Sequence, residues 1–187
     1  MEIIKFGDPR FTSLQNEAQR VSFPLDDSSK QCIKTLMDKM TELGDQAAGL
    51  AANQIGLPQN IFAVRISNKI RVFINTEMIG CQGKQSNIEG CLSLPEFSTK
   101  TKRPRSVTIK FQDEAGNWNT ETFEGFSAQV MMHEMEHMQG KLIVQHFNAL
   151  QNKTAHQTKF GMKLTPHRRK VIAARRAKKK RAAKQRQ

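Results

Sequence analysis

The residues of this chain best suited to chemistry are His133-Glu134-Met135-Glu136-His137 and, upstream of it, Glu89-Gly90-Cys91-Leu92-Ser93. On a helix, HExxH sets two imidazoles at i and i+4, one turn apart on one face, where both can grip one metal ion. The glutamate beside the first histidine then sits where it can take a proton from water held there. Cys91 offers a thiolate as a third ligand, and two histidines with one cysteine leave a fourth position open for water or substrate. That donor mix suits Fe, Ni, Co or Zn. A third constellation is Ala48-Gly49-Leu50-Ala51-Ala52-Asn53-Gln54-Ile55-Gly56. Its small residues let backbone approach a substrate closely, and Gln54 can donate a side-chain N–H to an oxyanion.

These motifs need elements to hold them. Phe23-Pro24-Leu25-Asp26-Asp27-Ser28 supplies turn and N-cap chemistry. Ile33, Leu36, Met37, Met40 and Leu43 then recur at helical spacing, and Gly44 ends a first long helix. Asn60 to Ile66 and Ile70 to Ile74 read as a hairpin around Ser67-Asn68-Lys69. Ser106 to Gln112 alternates apolar and polar residues, Asp113-Glu114-Ala115-Gly116-Asn117 turns the chain, and Trp118 to Glu124 returns. A second helix, capped by Ser127 and stopped at Gly140, carries HExxH. Helix, antiparallel hairpins, then helix reads as α+β rather than alternating βαβ.

The 187 residues carry 30 Lys+Arg against 17 Asp+Glu, a formal net charge of +13. Thirteen of the basic residues and no acid lie in residues 159–187, so the remaining 17 balance the 17 acids of the rest. The excess therefore describes an appendage. The first residues lack the basic and apolar regions of a secretory signal. No apolar run approaches the length of a membrane span. Cys32, Cys81 and Cys91, odd in number and irregularly spaced, argue against a disulfide framework and fit a reducing cytoplasm. Cys32 falls on the apolar stripe of the first helix, and Cys81 in a glycine-rich turn. His146, His156 and His167 lack ligand spacing and read as exposed or structural. Met131, Met132, Met135 and Met138 read as core.

In that order, Gly-Leu-Ala-Ala-x-Gln, Glu-Gly-Cys-Leu-Ser and His-Glu-x-x-His resemble the motifs of peptide deformylase, the metal hydrolase that removes formate from N-terminal formyl-methionine. The resemblance spans roughly Ile3 to Phe147 and includes Gly7-Asp8-Pro9-Arg10, Arg103-Pro104 and Gly140-Lys141-Leu142. It implies antiparallel sheets packed around a central HExxH-bearing helix, a catalytic domain over residues 1–160 and a basic C-terminal extension over 161–187. It implies that Cys91, His133 and His137 bind one divalent metal, Fe(II) in the cell, with Zn, Ni or Co able to replace it in a purified sample. Glu134 becomes the general acid/base, with Gln54 and the Leu92 N–H on the oxyanion. Ala48, Gly49 and Leu50 would line a strand-like substrate path, and Phe126 and Val130 a methionine-accepting pocket. Glu89, Ser93 and Glu136 would support the ligands. The family usually has glycine at Ala47, aspartate at Glu136 and proline at Thr76. The first difference adds a Cβ beside the groove, the second a methylene, and the third affects a local turn.

Two other classes weigh against this reading. A zinc protease would use HExxH, but zincins take their third ligand downstream of the helix, whereas Cys91 lies upstream. A non-catalytic, nucleic-acid-binding module would account for the tail but not for the complete Cys/His/His/Glu/Gln set. The tail, with Arg168, Arg169, Lys170, Arg175, Arg176, Lys178, Lys179, Lys180 and Arg181, combines good helix formers with charge. It could order on phosphate. Some deformylases dock on the ribosome through a basic C-terminal helix, so the resemblance makes ribosomal RNA the expected partner beside nascent N-formylmethionyl polypeptides.

Overall fold

The structure, a computed structural model, describes residues 1–146. The tail and its basic residues, like His156 and His167, lie outside the described residues. Helix α1 spans Asp27–Leu43; Asp26 caps it by accepting the Ser29 N–H at 2.7 Å, and Gly44 ends it at φ +54°. Strands β1 (Gly49–Ala51), β2 (Ile61–Ile66), β3 (Lys69–Gln82), β6 (Ser106–Gln112) and β7 (Trp118–Glu124) form an antiparallel sheet in the order β1-β2-β3-β6-β7. Strands β4 (Gln85–Cys91) and β5 (Leu94–Arg103) form a separate antiparallel ribbon. Helix α2, Gly125–Met138, follows β7 directly.

The sheet is covered on both faces near β2 because β2 is apolar at successive positions, and successive side chains on a strand point to opposite faces. Phe62 and Val64 join Phe73, Phe111 and Phe123 under the α2 residues Ala128, Met131 and Met135. Ile61 and Ala63 join Ile74 under Cys32, Ile33, Leu36 and Met40 of α1. Aromatic contacts knit the α2 side, with the Phe73 ring 4.8 Å from Phe111 and 5.5 Å from Phe62. Cys32 is a core thiol, as its helical spacing indicates, and burial pushes its pKa up to about 12. Among the described residues no helix is long and apolar enough to cross a membrane.

Several boundaries differ from the sequence reading. The second strand of the first hairpin continues past Ile74 to Gln82, with register breaks after Ile74 and Met78. Cys81 therefore lies exposed in β3, opposite Val107, and not in a turn. Helix α2 starts at Gly125, and Glu124 occupies the cap position without a side-chain bond, so Ser127 is inside the first turn. Gly140 does follow the helix end, at φ +63°, where a Cβ would collide with the Gln15 carbonyl oxygen. The β4–β5 ribbon leaves no apolar alternation to read, because its inward residues Glu89, Thr99, Thr101 and Arg103 are themselves polar.

Asn75, at the first β3 break, adopts φ +51° and is buried. Its amide donates to the Val21 carbonyl (2.7 Å) and Gln112 Oε1 (2.8 Å), and its Oδ1 accepts the Val21 N–H (2.8 Å). The Asn75-Thr76 step is thus a strand bulge that clamps the N-terminal segment onto the sheet. Asn75→Ala should lower unfolding free energy by about 2–4 kcal/mol, because it strands buried backbone groups. Urea titration at constant slope would check this.

Candidate active site

The last turns of α2 project His133 and His137 toward the end of β4. There the ribbon breaks register, its pairing jumping from Gly90–Ser98 to Cys91–Leu94 as the chain delivers Cys91. The ligand atoms of Cys91, His133 and His137 all lie within 4.8 Å of one another. Cys91 Sγ is 3.3 Å from His137 Nε2, and the two imidazole centroids are 5.0 Å apart. Burial would raise the Cys91 thiol pKa, but the imidazoles of His137 and His133 outweigh it and hold the thiol well below its ordinary value. His133 is correspondingly raised against its burial by Cys91 and Glu89.

Gln54 reaches this cluster from the turn Ala52–Ile55. Its Oε1 accepts the Ala51 N–H at 2.9 Å, which aims Nε2 at Ser93 Oγ (3.1 Å) and Cys91 Sγ (3.6 Å). Glu134 is 3% exposed, and its Oε2 makes no hydrogen bond among the described residues. Gly49 makes room for it: a Cβ there would sit 2.5 Å from Glu134 Oε1. Burial pushes the Glu134 carboxyl pKa up, with His133 and His137 opposing. Cys91, His133 and His137 offer one sulfur and two imidazole donors within 4.8 Å of one another, and that donor set fits one divalent metal.

Behind the ligands lies an ion network. Arg103 grips Glu89 with a fork, Nε to Oε1 at 2.9 Å and Nη2 to Oε2 at 2.8 Å. Thr101 Oγ1 donates to Glu89 Oε1 at 2.6 Å, and Glu89 Oε2 lies 3.4 Å from His133 Nδ1. The third corner of the guanidinium, Nη1, meets Glu136 Oε1 at 2.7 Å, and His146 Nε2 lies 3.0 Å from that same oxygen. Burial alone would raise both carboxyls. Arg103, with His133 and Thr101, instead lowers Glu89 to about 2; His146 and Arg103 lower Glu136 likewise to about 2. Asn53 Nδ2 secures the helix by donating to the His137 carbonyl at 2.7 Å.

A cavity of about 540 Å³ opens onto the cluster, lined among others by Ala48, Gly49, Leu92, Phe126, Val130 and Glu134. Leu50, read as lining the substrate path, turns its side chain into the α1 core. Phe126 stands at the rim, 65% exposed. Ala47 adopts φ −119°, ψ 108°, ordinary extended backbone, so its Cβ forces no adjustment. Sequence reasoning gave no role to Arg103, Asn53, Asn87 or Gln129, and read His146 only as exposed or structural. Of these, Arg103 had a signal: a buried Glu89 requires a counter-charge, and Thr99, Thr101 and Arg103 alternate on one face.

A sequence model described as polypeptide deformylase matches residues 1–153. The peptide deformylase of Xylella fastidiosa (strain M12) is 36% identical over 155 residues, covering 80% of this chain and 88% of that protein. A crystal structure of a peptide deformylase from Legionella pneumophila aligns with TM-score 0.73 at 31% identity, over 83% of this chain and 90% of that one. One from Synechococcus elongatus, in complex with actinonin, aligns with TM-score 0.75 at 28% identity, over 87% of each chain.

Arg103→Met should cost about 3–5 kcal/mol, since it strips the buried Glu89 of its bidentate counter-charge and leaves Glu136 with His146 alone. Chemical denaturation checks the loss. Adding Glu89→Gln and Glu136→Gln to that variant should recover part of it.

Proposed function

The chain belongs to the polypeptide deformylase family, and from that premise we propose how its residues divide the work of removing the formyl group from the N-terminus of new polypeptides. The observation that carries the assignment of roles is that Cys91, His133 and His137 offer ligand atoms within 4.8 Å of one another, with Gln54 Nε2 3.6 Å from Cys91 Sγ and with Gln54, Cys91, His133 and Glu134 lining one cavity. Cys91, His133 and His137 would hold a single divalent metal, Fe(II) in the cell, which when bound would supply Lewis acidity toward the formyl oxygen and the attacking water. Zn, Ni or Co would occupy the same donors in purified protein.

Glu134 acts as general base through Oε2, taking a proton from water as the oxygen bonds to the formyl carbon. Gln54 Nε2 and the Leu92 N–H donate to the oxyanion that forms. One such donor is typically worth about 3 kcal/mol in the transition state. The C–N bond then breaks, Glu134 passes its proton to the departing nitrogen, and formate and a free amine leave. Glu89 orients His133, Ser93 holds the Gln54 amide, and Glu136 anchors Arg103. Gly49, Ala48 and the backbone of Leu50 receive the peptide, with Val130 and Phe126 along its first side chain.

Formate release from formyl-Met-Ala-Ser by anaerobically purified protein of known metal content tests this directly. Glu134→Ala should abolish turnover while the metal stays bound. Near-normal activity in that variant would refute its role.

Residues 161–187 form the basic appendage of this reading, after a catalytic domain over residues 1–160. Its charge, with no acid beyond Glu136, suits ribosomal RNA at the site where its substrates emerge, which puts the reaction in the cytoplasm. Full-length protein should co-sediment with ribosomes at low salt and lose them steeply as salt rises. A version ending at Gly161 should stay in the supernatant, and equal sedimentation of the two would sink the docking role.

A further inference from the structure

One face of α2 lines the cavity for two turns: Phe126, Gln129, Val130, His133 and Glu134 recur at helical spacing from the rim to the reacting centre. All but Gln129 are accounted for. Gln129 is only 4% exposed, a neutral amide in a wall otherwise suited to an apolar side chain. Its Oε1 accepts from Asn87 Nδ2 at 2.7 Å, so one end of the amide is fixed by β4. Its Nε2 makes no hydrogen bond among the described residues and is not sealed in the interior, which leaves its N–H groups to a molecule in the cavity. Four residues of helix separate Gln129 from His133, about 6 Å of rise. That is comparable with the length of an extended methionine side chain measured from the reacting centre.

We propose that Gln129 is a specificity-determining residue that donates its Nε2–H to the sulfur of the substrate's first side chain, with Asn87 holding the amide in the donating orientation. The inference rests on the deformylase reading above. A thioether is a weak acceptor but the only one that an unbranched side chain of this kind presents there. Norleucine, with a methylene in place of sulfur, fills the same space and accepts nothing. The unpaired amide donor then carries the discrimination, as buried polar groups do when a substrate fails to match them.

The test compares kcat/KM for formyl-Met-Ala-Ser and formyl-norleucine-Ala-Ser in the metal-loaded full-length protein, Gln129→Met and Asn87→Asp. Because the two substrates are compared within each protein, the fraction of it that folds cancels. The wild type should favour methionine by about threefold or more, the yield of a weak neutral hydrogen bond. Gln129→Met should erase or invert that ratio. Asn87→Asp offers only acceptors, so the Gln129 amide must turn its NH2 toward it and present oxygen to the cavity; the preference should fall there too. A ratio unchanged within about twofold in Gln129→Met overturns the inference, while turnover itself upholds the deformylase reading. Formate from neither peptide with the wild type would sink that reading, and this inference with it.

Discussion

Arg103 is the residue on which the site's geometry depends. Its guanidinium is buried with all three nitrogens engaged: Nε and Nη2 by Glu89 of β4, and Nη1 by Glu136 of α2. Removing three charges from water is costly, and close, fully hydrogen-bonded pairing is what offsets it. The bidentate fork also fixes direction, which a point charge would not do. The helix carrying two ligands and the strand carrying the third are therefore aligned by ion pairing, with apolar packing secondary at this join. Glu89 passes that order on to His133 Nδ1, while Cys91 follows it by two residues along the same strand.

That design decides what could be read from the sequence. The first helix and the Ser106–Gln112 strand declared themselves because their buried faces are apolar at periods of 3.6 or 2, while the second helix was legible from HExxH and the stop at Gly140. The ribbon did not. Glu89, Thr99, Thr101 and Arg103 occupy its inward face, so the alternation exists but is polar against polar. Cys91, His133, His137 and Glu134 were legible as residue types at fixed spacings, and the structure brings the ligand atoms of the first three within 4.8 Å of one another. Of the residues around them Glu89, Ser93 and Glu136 came with the motifs, whereas His146 and Gln129 gain meaning only from partners, Glu136 and Asn87, brought to them by tertiary structure. Ser127 misled for a different reason: a good capping residue lies inside the first turn, and Gly125 provides the sharp entry instead.

The two positions of the small-residue stretch show how local geometry sets tolerance. Gly49 lies against the Glu134 side chain, and any Cβ there would drive into the carboxylate. The constraint is steric, since a buried acid cannot easily swing away without leaving the site. Two residues earlier, Ala47 is extended and packs its methyl into the α1 core. A family glycine is thus replaced at no cost in backbone strain, because the position needs neither positive φ nor open space.

Glu136 follows from the same logic. The Glu136 carboxylate lies between Arg103 Nη1 and the His146 imidazole, with Oε2 also 3.1 Å from Nε2. A longer side chain has more rotamer freedom to lose, which on its own would loosen its grip on the guanidinium. Contact from two sides restricts that freedom, and His146 comes from the turn Ile143–His146 that follows the helix. Glu136 therefore ties the ion network both to α2 and, through His146, to the chain beyond it. Arg103, and through Glu89 the orientation of His133, are held in part by the turn that follows the helix.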